Sequence, residues 1–366
     1  DIDGIVTITT ATLDADGAFD ATGGTITFTN TGNLELAGIV TDLGALTSVG
    51  FGTVNYNGAI SQAIFADTYF NLTAEGAATK TLAGLVTLNG ALLIDAATTV
   101  AMGAANLVVT GGANIGGTLN VVDNTLTVGG ASVVTGAINI NTGTVDADGT
   151  FNATGATIAF TGAGDLALAG AVTHLGTLSD GAGTVTYDGG AQTIFLDNYW
   201  NLTAGGTATK TFGGAVTVKN NLEINNDVVL DVSVTNHGLT LEGNLTCNGT
   251  GSFTPRSGTV TFSGAISQAL TSAGSTFNNI VFANTGGVDK VLAIVDNLDI
   301  DGNLTVTSGA FDITGAIDVA LAGNLSIADG ANWTSGSGTL TFDGTTQTVE
   351  DLNAASKNLG NISINQ

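Results

Sequence analysis

Proline, cysteine and basic side chains are nearly missing from this chain. Its 366 residues include one Pro, one Cys and one Met, and six Lys or Arg against 31 Asp or Glu. The lone Cys247 excludes an intrachain disulfide, so sulfur crosslinks nothing. A formal net charge of -25 repels the phosphates of nucleic acid and of anionic lipid, and neither is an expected partner. Long hydrophobic runs are absent too. The most apolar stretch, 91–110, is interrupted by Asp95 and by Gly and Thr, so no transmembrane helix and no membrane insertion are expected. No signal-peptide pattern opens the chain, which begins at Asp1 as a processed mature end or an excised segment would.

Helical periodicity is scarce as well. Apolar residues recur at every second position in short runs, as in Ile5–Ile8, Ile26 with Phe28, Leu34 with Leu36, and Val54 with Tyr56. The alternate positions are largely Thr, Asn and Asp, and each run stops within a few residues at Gly, Asn or Asp. Such runs are short strands bounded by turns. The 54 glycines lack an every-third-residue period, which excludes collagen, and the 43% hydrophobic content argues against disorder.

One stretch organises the rest. GTVTYDGGAQTIFLDNYWNLTA at 183–204 has a close copy at 52–74, and looser copies begin at Gly258 and Gly338. Around it, residues 13–94 and 145–224 form a duplicated block, with looser repeats at 251–306 and 330–366. The offsets slide only at turns. No linker, composition break or charge run marks a boundary, so one domain over 1–366 is expected.

Near-duplicates that tolerate insertions only at turns, with small aliphatic residues at inward positions, describe stacked coils. The expected fold is all-β, a parallel β-solenoid of right-handed coils, one elongated rod. At roughly 20 residues per coil the chain makes about 17 to 18 coils, stacked near 4.8 Å apart over a length on the order of 80 Å. Asn and Thr at equivalent turn positions are placed to form ladders.

GTVTYDG, GTVTFSG and GTLTFDG, each followed by a Gln and then by YWNLTA or FNNIVF, resemble the repeats of large bacterial surface and secreted β-solenoid proteins. These are arrays in the style of filamentous haemagglutinin and autotransporter passengers. The resemblance spans nearly the whole chain, implies an extracellular, structural or adhesive role, and carries no site residues with it.

The candidate chemistry is sparse. Asp-x-Asp-Gly occurs at Asp1/Asp3, Asp14/Asp16, Asp146/Asp148 and Asp299/Asp301, and paired carboxylates before a Gly turn can share a hard cation such as Ca²⁺. No third ligand follows at EF-hand spacing, and diffuse screening of the acidic surface competes with a specific site. Ca²⁺ is the one cofactor considered. Lys80, Lys210 and Lys290 occupy one repeat position and are expected to lie along the coil against neighbouring Asp residues. His174 aligns with Asp42 and His237 with nothing, so neither belongs to a metal or nucleophile constellation. Cys247 is expected to face inward, and the single Arg256 to sit in a turn.

Polysaccharide-cleaving β-helices cluster Asp with Arg or Lys on one face. Here Asp is dispersed and Arg nearly missing, so an enzyme is not expected, and cell-surface or matrix polysaccharide remains only as a binding partner. The ends suggest another partner. Asn71-Leu72-Thr73 is followed by GLVTL at 84–88, and Asn201-Leu202-Thr203 by GAVTV at 214–218. Asn361, Ile362, Ser363 and Ile364 form the last such Asn strand, and Gly4, Ile5, Val6, Thr7 and Ile8 read as its continuation, short only of a Lys-bearing turn. Head-to-tail stacking of copies by strand addition is therefore the expected assembly. A stalk segment of a larger adhesin is the alternative, and a polysaccharide-active enzyme the third.

Overall fold

The computed structural model describes residues 1–48, 50–179 and 181–365. Among these residues are 52 strands and no helix. They form parallel sheets stacked as a β-solenoid of about 18 turns. Two compact units divide the chain, Asp1–Gly183 and Thr184–Gln366.

In the first unit most strands pair with the third strand after them, so the ladders run side by side along the turns. One ladder runs Thr12–Ala15, Asn33–Leu36, Thr53–Tyr56, Asn71–Ala74 and onward to Val172–His174. A second begins Gln62–Ile64, Thr79–Leu82, Thr99–Ala101. A third runs from Thr68–Tyr69 through Val86–Leu88 to Asp165–Leu168. At the edge, Ile5–Ile8 pairs only with Thr25–Phe28. Pairing keeps like with like: Leu92 lies beside Ala113 and Ile94 beside Ile115, building apolar columns along the inside. In Asn33–Leu36 the two leucines are fully buried while Asn33 and Glu35 keep contact with solvent. A parallel sheet normally buries both faces and loses this alternation. Here one face stays wet, so period 2 survives.

The second unit repeats the scheme. Thr184–Tyr187 pairs with Asn201–Ala204, which pairs with Leu222–Ile224. The last strands are Thr339–Phe342, Val349–Asp351 and Asn361–Ile364, of which the final one pairs with the first. Residues 352–360 cross beside Asn332–Ser335 without forming a strand, held by the Ser335 hydroxyl donating to the Asn358 carbonyl at 3.3 Å and by Asn353 donating to the Ala328 carbonyl at 3.1 Å.

Turn lengths vary from the 17 residues between Thr184 and Asn201 to the 25 between Leu245 and Leu270. Corners absorb the difference, and glycine lets them approach. A Cβ on Gly136 would sit 1.9 Å from the carbonyl oxygen of Gly117 on the preceding turn. Strands also arrive more often than the ~8 to 12 residues expected of a β array. Two-residue strands such as Phe19–Asp20, Thr68–Tyr69 and Asn198–Tyr199 are too short to show a period.

Candidate functional site

The repeated stretch proves to be one closed turn. Thr53–Tyr56 pairs directly with Asn71–Ala74, and the chain between them supplies Gln62–Ile64 and Thr68–Tyr69. Thr184–Tyr187 and Asn201–Ala204 close the second copy in the same way around Gln192–Ile194 and Asn198–Tyr199.

Inside this turn sits polar chemistry that the periodicity conceals. Gln62 points inward and its amide nitrogen donates to the carbonyls of Leu36 at 2.8 Å and Gly38 at 2.7 Å, both on the preceding turn. Its oxygen accepts the Gly58 N–H at 3.2 Å and, at 2.5 Å, the ammonium of Lys80 from the following turn. Lys80 is the register partner of Gln62 and is fully buried, with Nζ also donating to the Gly58 carbonyl at 2.5 Å and the Ile60 carbonyl at 3.2 Å. Burial lowers its pKa to about 8. One glutamine thus ties three successive turns together.

The clamp recurs. Lys210 pairs with Gln192, donating to its side-chain oxygen at 2.9 Å, to the Gly189 carbonyl at 2.6 Å, to the Thr207 carbonyl at 3.2 Å and to the Gly190 carbonyl. Its pKa also falls through burial, with Asp188 opposing the shift. In the third copy Gln268 holds the carbonyls of Leu241 at 3.0 Å and Gly243 at 2.9 Å. There the donor is not a lysine. The buried Asn284 supplies Nδ2 to the Ile266 carbonyl at 2.6 Å and to Gln268 Oε1 at 3.4 Å.

These contacts correct the expected placement of the lysines. Lys80 and Lys210 turn into the coil and bind carbonyl and amide oxygens, because their register beside Gln62 and Gln192 is an inward one. Lys290 is not their counterpart. It is half-buried in the corner after Asn284, and the register partner of Gln268 is Leu292. In the fourth copy Gln347 reaches the carbonyls of Leu321 at 2.6 Å and Gly323 at 2.9 Å and accepts the Gly344 N–H at 3.2 Å. Among the described residues no amine or amide from a following turn meets its oxygen.

All four tyrosines of the chain form two further buried pairs. The Phe65 N–H donates to the Tyr56 oxygen at 3.3 Å, the two phenol oxygens lie 3.3 Å apart, and Tyr69 donates to the Phe65 carbonyl at 2.8 Å. The circuit closes on one residue's backbone, and the second copy repeats it with Phe195, Tyr187 and Tyr199. Burial pushes Tyr56 and Tyr187 up to about 12 and raises Tyr69 and Tyr199 well above the ordinary phenol value. The aromatic and the glutamine of each copy are visible in the sequence, but only the turn's closure shows that they face each other across its interior.

The remaining candidates are dispersed. Asp14, Asp16, Asp148, Asp299 and Asp301 are exposed and Asp146 half-buried. Asp14 stands beside Glu35, and Asp299 accepts the Thr276 hydroxyl at 2.9 Å. Among the described residues no three His, Cys, Asp or Glu side chains gather as a metal site would require. His174 does what its aligned partner does: its Nδ1 accepts the Gly176 N–H at 2.8 Å, as the Asp42 carboxylate accepts that of Gly44 at 2.7 Å. Cys247 is buried as expected, 3.9 Å from the Ser275 hydroxyl. Arg256 lies in a turn and forks onto Asp231 of the preceding turn with two contacts of 2.6 Å. Asn ladders exist in places, as between Asn139 and Asn120 at 2.7 Å and Asn220 and Asn201 at 2.8 Å.

At the last strand Ile362 and Ile364 continue the inward column of the buried Leu340 and Phe342, yet they are 51% and 71% exposed. At the first strand Val6 and Ile8 continue the column of Ile26 and Phe28, while Ile5 and Thr7 are outward, and the Gly4 carbonyl accepts the Thr25 N–H at 2.9 Å. No helix among the described residues is long and apolar enough to cross a membrane. No family model, no curated protein and no solved structure matches this chain.

Proposed function

We propose that this chain is a structural subunit of an extracellular filament or sheath, extended head to tail by stacking of coil ends. The exposure of Ile362 and Ile364 carries the proposal. They are core residues by register, on a strand that ends its sheet among the described residues. Such an edge is a template for strand addition. Ile5–Ile8 offers the opposite edge, and contact between two different surfaces propagates rather than closing on itself. The likeness of the repeats to bacterial surface arrays supports the extracellular setting.

The test is negative-stain microscopy of the purified chain beside a variant lacking residues 1–8. Filaments are expected from the first and none from the second, with the β signal in circular dichroism unchanged. Dispersed monomers from the intact chain would overturn the filament. They would favour the second reading, a stalk in which further coils of one polypeptide cover the same surface.

A further inference from the structure

The two closest copies agree inside and differ on one outward face. Inward residues correspond closely: Leu34 and Leu36 with Leu166 and Leu168, Val54 and Tyr56 with Val185 and Tyr187, Leu72 and Ala74 with Leu202 and Ala204. The outward polar residues do not. Glu35 stands where the later copy has Ala167, Asn55 where it has Thr186, Asn57 where it has Asp188, and Glu75 where it has Gly205. Such a difference alone carries no signal, but these four side chains are brought together.

Asn33–Leu36, Thr53–Tyr56 and Asn71–Ala74 are neighbours in one ladder, which sets Glu35 beside Asn55. The Glu75 N–H donates to the Tyr56 carbonyl at 2.9 Å, which sets Glu75 beside Asn57. Each carboxylate is reached diagonally by the other amide: Asn57 Nδ2 donates to Glu35 at 3.2 Å, and Asn55 Nδ2 to Glu75 at 3.2 Å. All four residues are half-buried, and the side-chain oxygens of Asn55 and Asn57 are buried with no hydrogen-bond partner. An acceptor withdrawn from water without a donor is costly. Glu35 also has the like charge of Asp14 beside it on the preceding turn, which is unfavourable between directly opposed residues. A cation that takes oxygen from carboxylate and amide alike answers both.

We propose that Glu35, Asn55, Asn57 and Glu75 form a Ca²⁺ site on the outer face of three successive turns. Rotating each amide about its Cβ–Cγ bond brings Oδ1 to where Nδ2 now stands, 3.2 Å from a carboxylate oxygen. Oxygens that share one Ca²⁺ at about 2.3 to 2.6 Å stand about 3 to 3.5 Å from one another, so the spacing suits the ion. Two carboxylates, each able to bind through both oxygens, and two amides supply the protein ligands, and water completes the shell. Mg²⁺, which demands stricter octahedral geometry and holds its own water, is the weaker occupant. With Ala167, Thr186 and Gly205 the later copy lacks the set. The site belongs equally to a filament, a stalk or a lone chain.

The test is calorimetric titration of the intact chain with Ca²⁺ and, separately, with Mg²⁺, at about 0.15 M salt so that diffuse attraction to the acidic surface is screened. One saturable Ca²⁺ event is expected, with Mg²⁺ at least about tenfold weaker. A variant carrying the later copy's residues, Glu35→Ala with Asn55→Thr and Glu75→Gly, should lose that event. Its turns should still close, because the strands around Ala167, Thr186 and Gly205 remain paired in the later copy. Asn55→Asp, which puts a carboxylate where the amide was, should tighten binding severalfold. Hydrogen exchange in Asn33–Leu36, Thr53–Tyr56 and Asn71–Ala74 should slow when Ca²⁺ is added. No Ca²⁺ event overturns the proposal. So does binding that fails to saturate, is equal for the two ions or survives the triple substitution, since each is screening alone. An Asn55→Asp variant no tighter than the parent overturns it as well.

Discussion

The ammonium of Lys80 lies 2.5 Å from the side-chain oxygen of Gln62, one turn and 18 residues away. A charge in this position is costly to desolvate, and the site compensates with three oxygens aimed at one nitrogen. Lys80→Met takes the ammonium away from those oxygens, leaving Gln62 only the Gly58 N–H, and is expected to cost about 2 kcal/mol locally. Gln62→Leu should cost a similar amount. The double variant should cost less than the two together by about 1 kcal/mol, because the partners share one network. Stacked repeats need not unfold in one step, so native-state hydrogen exchange in Gln62–Ile64 and Thr79–Leu82 is the appropriate readout. Full additivity would deny the clamp.

The same lysine sets a pH dependence. Its folded pKa of about 8 lies below the ordinary 10.5, so between those values the unfolded chain holds more protons and stability rises with pH. The tyrosines act oppositely. Tyr56 and Tyr187 are raised from 10.0 to about 12, so their contribution is complete below pH 10 and is lost as pH climbs through the folded value. Denaturant midpoints measured from pH 7 to 11 should climb above 8 and turn down beyond 10. A flat profile from 8 to 10 would count against a buried charged lysine.

Since all four tyrosines sit in the two hydrogen-bonded circuits, the native protein should show no phenolate absorbance near pH 10, and unfolding in denaturant should restore it for all four. Tyr69→Phe removes the donor to the Phe65 carbonyl and should cost about 1 kcal/mol. A phenol titrating normally in the folded chain would contradict the pairing.

Gly136→Ala tests how closely the corners stack. With a Cβ colliding with the Gly117 backbone, the turn cannot close without displacement, and a loss of about 1 to 3 kcal/mol is expected. Gly23→Ala gives a contrast without a clash: its Cβ would meet nothing, so any cost reflects only its φ of +78°. Equal melting shifts would show that steric approach is not the constraint at Gly136.

Arg256 and Asp231 should matter little at neutral pH. Their contacts are short, but the arginine side chain is 40% exposed, and solvent screens such a pair. The hydrogen bond from Arg256 holds Asp231 below its ordinary 3.8, so the contribution present above that value fades as pH falls through the lowered one. Arg256→Gln should therefore narrow the stability difference between pH 7 and pH 3. An unchanged difference would exclude the pair as its source.

The fold was legible because repetition and alternation are both written in side-chain size. Leu34 and Leu36 between Asn33 and Glu35 mark an inward face, and the copies at 52–74 and 183–204 mark a turn. The polar interior was not, because Lys80 in TKTL occupies an inward position under an outward residue's chemistry. Periodicity assigns lysine to solvent, and only the register opposite Gln62 reverses that. Asn284 was harder still. It replaces Lys210's function from a corner instead of a strand, so no alignment of letters pairs the two. His174, by contrast, was readable from its alignment with Asp42, since both side chains cap the same backbone N–H two residues on.

Turn length has a consequence for how distance is written in this chain. Each turn advances by one strand spacing, about 4.8 Å, whether it spends the 17 residues from Thr184 to Asn201 or the 25 from Leu245 to Leu270. Residues added at a corner swell the girth and leave the advance unchanged. Within each unit the advance is graduated in turns, so sequence length and physical length vary independently there, and insertions can decorate the corners without shifting the marks.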